Sequence, residues 1–238
     1  MQFFDKIASE VNFLKREYKL IILTYVAMQL FLNIGASILY GIFQSFGFAG
    51  NKYWLLSVSI WTVFSFFVTL LITLYYLKDE ITMRNRNLRS IPFVLGWSVY
   101  GVLLALIAQR IAIMIETLLG VDVGSENTKN ILNLINVAPI MIFVTSIIGP
   151  ILEEIIFRKI IFGSLYKKTN FFLAALISSI LFSAAHMEFE HLLLYCAIGF
   201  TFSYLYVKTD RIIIPILAHT LMNTYVVMSQ FFLQMQQI

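Results

Sequence analysis

Glu153 and Glu154 stand side by side inside an otherwise apolar run, with Arg158 four positions beyond the second. A charged side chain at the centre of a bilayer costs roughly 2.5–3.5 kcal/mol on insertion scales. Three in one stretch must therefore face protein, water or one another. On a helix Glu154 and Arg158 share a face, and an ion pair between them makes their burial tolerable. Glu153 points about 100° away from Glu154 and has no obvious partner in the sequence. A desolvated carboxylate of that kind is the candidate general base.

Other polar groups recur in the apolar segments that follow. Phe182 precedes His186 by four positions, His191 comes five further on, and His219 precedes Asn223 by four. Helical spacing puts Phe182 beside His186 and presents His219 and Asn223 to one neighbour. A carboxylate, an imidazole that holds a water, and a second imidazole with an amide to stabilise an oxyanion suit water-driven hydrolysis of an amide bond. Each group also has a plain structural use. Glu154–Arg158 is more naturally a structural pair than a catalytic one. His191, just after the turn carrying Glu188 and Glu190, is expected to be solvated or interfacial. Arg110 in the third apolar segment is expected to snorkel or neutralise a carboxylate, and Asn223 could simply join helices. Recurrence in consecutive segments favours a shared site.

The elements that must position these residues are membrane helices. The chain has 238 residues, of which 60% are hydrophobic and 13% charged, with mean hydropathy +0.84. That composition implies an integral membrane protein. Apolar segments of spanning length lie at 20–43, 54–77, 92–117, 138–166, 170–187, 190–207 and 212–235. Phe3, Phe4, Ile7, Val11 and Leu14 have the spacing of an amphipathic helix on the membrane surface. The sequence is thus expected to form an all-α, polytopic transmembrane bundle of about seven spans. Residues 1–19 would be the interfacial helix, 20–137 accessory spans and 138–238 the catalytic core. Asp122 to Asn130 reads as a polar loop, and no cleavable signal peptide is expected at the N-terminus. The single cysteine, Cys196, excludes an internal disulfide and reads as a small apolar filler.

The net charge of +4 is not a nucleic-acid signal, because the basic residues are sorted by side. One set of alternating loops carries Lys6, Lys15, Arg16, Lys19, Lys78, Arg84, Arg86, Arg89, Lys167, Lys168, Lys208 and Arg211. The other holds only Lys52 and Lys129. This asymmetry predicts a cytoplasmic N-terminus in a plasma membrane, with the small size and minimal loops suggesting a bacterial one.

Glu-Glu-x-x-x-Arg at 153–158, Phe-x-x-x-His at 182–186 and His-x-x-x-Asn at 219–223 resemble, in order and placement, the motif set of the CPBP family. These are the CAAX proteases and bacteriocin-processing enzymes, also called Abi proteins. The resemblance covers about residues 138–225 and implies an intramembrane endopeptidase with an internal water-filled cavity. Carried over by position, Glu153 and His186 would activate water, His219 and Asn223 would polarise the scissile carbonyl, and Glu154, Arg158 and Phe182 would support them. Substrates implied are lipidated peptides, such as prenylated C-termini, or leader-bearing bacteriocin or pheromone peptides. The family is commonly labelled metalloprotease. Glu153, His186 and His219 could complete a zinc site, yet the same residues suffice without a metal, and no tightly bound ion is expected.

Other protease classes fit less well. His186 and His191 are five apart rather than the zincin four, and no Gly-x-Ser-x-Gly elbow is present. A non-catalytic scaffold or bacteriocin self-immunity protein remains an alternative, as does a proton-coupled carrier, for which a membrane-embedded glutamate pair is equally natural. Depth adds one expectation. Glu153 lies about 21 Å from Lys167, and His186 about 24 Å from Asn170, but His219 only about 12 Å from Arg211 if that segment is helical throughout. Matching the levels calls for Arg211–Ile214 to be extended, with Pro215 as the first helical residue, and a site in the outer half. Resemblance to the eukaryotic CAAX enzymes favours access from the cytosol instead.

Overall fold

A computed structural model describes residues 14–84, 90–122 and 124–235. Residues 1–13 of the expected interfacial helix, with Arg86 and Arg89, lie outside them. The described residues form eight helices in the order α1 (Arg16–Ser45), α2 (Asn51–Arg84), α3 (Ile91–Leu118), α4 (Glu126–Val137), α5 (141–166), α6 (Phe171–His186), α7 (Leu192–Thr209) and α8 (Ile213–Met235).

Local chemistry explains the boundaries. Pro92 sits in the first turn of α3, where its missing N–H costs nothing. Asn170 caps α6 by accepting the Leu173 N–H at 3.0 Å. Met187 and Asp210, at φ 57° and 53°, end α6 and α7 in the left-handed conformation.

Five helices are long and apolar enough to cross a membrane: α1, α2, α3, α7 with its leading turn, and α8. Two of the seven expected spans fall short for identifiable reasons. α6 has 16 residues and is about 24 Å long. α5 carries Glu153, Glu154, Arg158 and Lys159, and its turns alternate between α and π geometry, with π segments at Val144–Ile148 and Glu154–Phe162. Pro150 has no N–H to give the carbonyl of Ser146, and such a gap loosens the ladder around it.

The polar half of α5 is enclosed by the other helices, whereas α6 buries one face and exposes Phe172, Leu176 and Ile180 on the other. In α5, Glu154, Ile155, Ile156, Phe157, Arg158, Ile160 and Phe162 are all buried. Around them close Phe182 of α6, Phe202 and Leu205 of α7, and Ile214 and Ala218 of α8. On α1 to α3 large apolar side chains such as Leu30, Leu71 and Leu103 face outward, the surface a bilayer covers. Close approach of α6 and α7 depends on Gly199, where a Cβ would lie 2.2 Å from Ser179 Oγ.

Two local expectations are corrected. The polar loop after α3 is shorter than the span from Asp122 to Asn130. Ser125 caps a new helix, α4, by accepting the Thr128 N–H. Ile131, Leu134 and Ile135 then pack it against Val227. The stretch Arg211–Ile214 is not extended either. Helix α8 starts at Ile213, and the Ile214 N–H bonds to the Arg211 carbonyl at 3.3 Å. Pro215 fits within the first turn, whose N–H groups have no intrahelical acceptor.

Candidate functional site

Arg158 is enclosed, with 1% of its surface exposed, beside a fully buried Glu154. Its Nε lies 3.3 Å from Glu154 Oε2. Its guanidinium carbon lies 4.3 Å from the centre of the Phe182 ring and 5.5 Å from that of Phe202. Two aromatic faces and one carboxylate hold this cation in a dry interior, where a cation–π contact is worth about 2 kcal/mol. The other Glu154 oxygen, Oε1, lies 2.8 Å from His219 Nδ1. Phe202 stacks on the His219 ring at 4.8 Å between centres. A carboxylate only accepts hydrogen bonds, so the proton of this bond belongs to Nδ1.

Glu153 has the expected different setting. Its Oε2 lies 3.7 Å from His219 Nε2, beyond a hydrogen bond but close enough to face it. The sequence had left Glu153 without a partner; α8 supplies one from across the bundle. His186 ends α6 with Nδ1 2.8 Å from the Phe182 carbonyl. That carbonyl also accepts only, so Nδ1 carries the proton and Nε2 is left as an acceptor. Phe182 lies edge-on to His186 at 4.6 Å. Asn223 donates from Nδ2 to the Thr145 carbonyl at 3.3 Å, so His219 and Asn223 do face the same neighbour, α5.

His186, His219 and Asn223 line one cavity of about 440 Å³ together with Phe182, Tyr195 and Thr145. Glu153 is not in that lining; it sits behind His219 with 15% of its side chain exposed. Among the described residues no contact joins Glu153 to His186. The cavity extends past Arg110 of α3 to the α3–α4 and α6–α7 connections.

Those connections hold a network that the sequence did not reveal. His191, expected to be solvated or interfacial, is buried at 7% exposure. Its Nδ1 lies 3.0 Å from Glu116 Oε2 and its Nε2 3.1 Å from the Gly124 carbonyl. Glu116 Oε1 also accepts the Leu194 N–H at 2.9 Å. Glu188 accepts from Ser125 Oγ at 2.9 Å, the Asn127 N–H at 2.9 Å and Tyr195 Oη at 2.7 Å. Burial pushes the Glu188 carboxyl up, but these three donors and nearby His191 outweigh it and hold it below its ordinary value. The Tyr195 ring lies 4.5 Å from that of His186. The sequence signals for this network were His191, the turn carrying Glu188, and Glu116, a lone acid near the end of an apolar segment.

The zinc possibility can be tested on the donors. His219 Nδ1 is bonded to Glu154 and His186 Nδ1 to a backbone carbonyl, which leaves only Nε2 of each ring to ligate. Among the described residues no three His, Cys, Asp or Glu side chains converge at metal-ligand spacing. As placed, Glu153, His186 and His219 do not fit a resident ion.

Residues 135–225 match the family described as type II CAAX prenyl endopeptidase Rce1-like, a stretch that contains every motif residue above. Over 224 residues the chain is 46% identical to the putative membrane peptidase YdiL of Bacillus subtilis, covering 91% of this chain and 90% of that one. It is 38% identical over 145 residues to the membrane-embedded CAAX protease MroQ of Staphylococcus aureus, covering 58% of this chain and 59% of that one. It is 30% identical over 153 residues to the UPF0177 protein YxdF of Lactococcus lactis, covering 63% and 81%. No solved structure matches the chain.

Proposed function

This chain belongs to the CPBP family of membrane-embedded CAAX-type proteases, and on that premise we propose that it is an endopeptidase using a water activated by Glu153 and His186. The observation that carries the reading is the placement of His219 between two carboxylates, with its ring edge at a cavity shared by His186 and Asn223.

In this mechanism the substrate carbonyl enters the cavity beside His219 and Asn223. A water hydrogen-bonded to His186 Nε2 loses its proton to the Glu153 carboxylate, which reaches it past the edge of His219 as the substrate enters, and the hydroxide attacks the carbonyl carbon. The oxyanion is met by Asn223 Nδ2–H, and by His219 Nε2–H when that ring is charged and donates from both nitrogens. The abstracted proton passes to the leaving amine as the C–N bond breaks. Glu154, fixed by Arg158, holds the His219 ring in orientation, as a buried carboxylate orients the histidine of a hydrolytic triad. No step is routed through a metal.

The substrates proposed are membrane-associated peptides, either prenylated C-termini or leader-bearing peptides, presented from the lipid bilayer. With the N-terminus cytoplasmic in a bacterial plasma membrane, the mouth between the α3–α4 and α6–α7 connections lies on the outer face. The test is cleavage of a panel of prenylated and leader-bearing peptides by the purified protein, its Glu153→Gln variant and its His186→Ala variant. Losses of about 10²–10⁴-fold are expected; full activity in both variants would falsify the assignment.

A further inference from the structure

We infer that Arg110 receives the carboxylate of the bound peptide, about two to four residues beyond the bond that is cut, and so selects substrates by their acidic end. This rests on the reading of the cavity as a peptidase site and adds a specificity-determining residue to it.

The cavity lining contains three carboxylates, and two are fully engaged. Glu116 is held by His191 and the Leu194 N–H, and Glu188 by Ser125, Asn127 and Tyr195. The third, Asp122, is exposed at the outer rim beside Lys129, whose Nζ lies 2.6 Å from Glu126. Arg110 also lines the cavity, yet among the described residues it has no ion pair and no hydrogen bond. It stands inside the apolar helix α3, eight positions before Leu118 and so about 12 Å from the helix end. Arg110 is exposed and lines the cavity, so its guanidinium is open to a ligand. Its five donors in a planar fork match a carboxylate.

The distance to the reacting groups follows from helix geometry. α3 touches α8 at Gly101, where a Cβ would lie 3.0 Å from that of Ala218. Arg110 and Ile113 share the cavity with Met222, Val226 and Gln230, so the two helices rise together from that contact. Arg110 is nine positions above Gly101, and His219 one above Ala218. The offset is about 12 Å from His219 and about 6 Å from Asn223, the reach of about two to four extended residues. A peptide carbonyl at His219 and Asn223 thus places a carboxylate at Arg110 when the chain ends, or carries an acidic side chain, that far along.

The experiment measures binding in the cleavage-silent Glu153→Gln background, in nanodiscs of zwitterionic and of anionic lipid. The probes are a fluorescent S-prenylated peptide ending three residues after the modified cysteine as the free acid, the same peptide as the C-terminal amide, and that amide with Asp in the last position. With Arg110 intact the acid binds about tenfold tighter than the amide, as expected for a charge-assisted bidentate contact. Arg110→Gln removes the difference, Arg110→Glu inverts it, and Arg110→Lys restores part of it. Recovery by the Asp-bearing amide shows that any carboxylate serves; failure to recover restricts the site to a free C-terminus. Three outcomes overturn the inference: equal binding of acid and amide, no binding of any probe, or a uniform loss in Arg110→Gln that depends on anionic lipid, which marks a phosphate anchor. A protein that cleaves without this discrimination sinks Arg110 alone. One that discriminates but never cleaves sinks the peptidase reading and leaves Arg110 standing.

Discussion

His219 Nδ1 lies 2.8 Å from Glu154 Oε1, while the other oxygen of the same carboxylate faces Arg158 Nε at 3.3 Å. The neighbouring Glu153 meets the opposite edge of the same ring. Two adjacent acids thus divide into one that is locked and one that is loosely held. Glu154→Ala strands a buried arginine, and about 3–5 kcal/mol of stability should be lost. Glu153→Gln should unfold close to wild type and yet be inactive. Thermal unfolding in detergent alongside peptide cleavage separates the two; a stable, active Glu154→Ala would reject this division.

Tyr195 connects the outer network to the site, its hydroxyl on Glu188 and its ring against His186. Tyr195→Phe keeps the ring and removes a hydrogen bond to a charged group, worth about 1.5–3 kcal/mol. The expected result is a kcat reduced by about tenfold or more with KM little changed, and a shifted pH–rate profile. An unchanged kcat and profile would mean that Tyr195 only packs.

Glu188 gives a pH dependence with a definite sign. Its folded-state carboxyl sits below the ordinary value, so its stabilisation is full above the unfolded carboxylate range, near pH 4.3. It is lost as pH falls through the lower folded value. The Tm gap between wild type and Glu188→Gln should therefore be constant from about pH 7 to pH 5 and shrink below about pH 4. A gap that grows on acidification would contradict the hydrogen-bond account.

For metal content, we expect less than one equivalent of zinc to copurify and cleavage to survive chelation, because among the described residues no three His, Cys, Asp or Glu side chains converge at metal-ligand spacing. Elemental analysis with activity before and after chelator treatment decides this. Stoichiometric zinc lost together with activity would require the side chains to rearrange around an ion.

Much of this protein was legible in one dimension. Hydrophobic run lengths located the apolar helices to within about four residues, except that α2 runs on to Arg84 from an expected end at 77, because a segment in lipid must satisfy its own backbone. Spacing of four paired Glu154 with Arg158 and Phe182 with His186, since one helix turn enforces it. What the sequence could not supply were contacts between helices distant along the chain. Nothing in the residues around position 153 announces that His219 will arrive opposite both glutamates, or that Tyr195 will lie on His186. The burial of His191 against Glu116 likewise depends on a neighbour far away in sequence, whereas Pro150 in α5 and the cap at Ser125 are local signals. Periodicity fixes which residues share a face of one helix. Only packing of several helices decides which faces meet, and the site exists at that meeting.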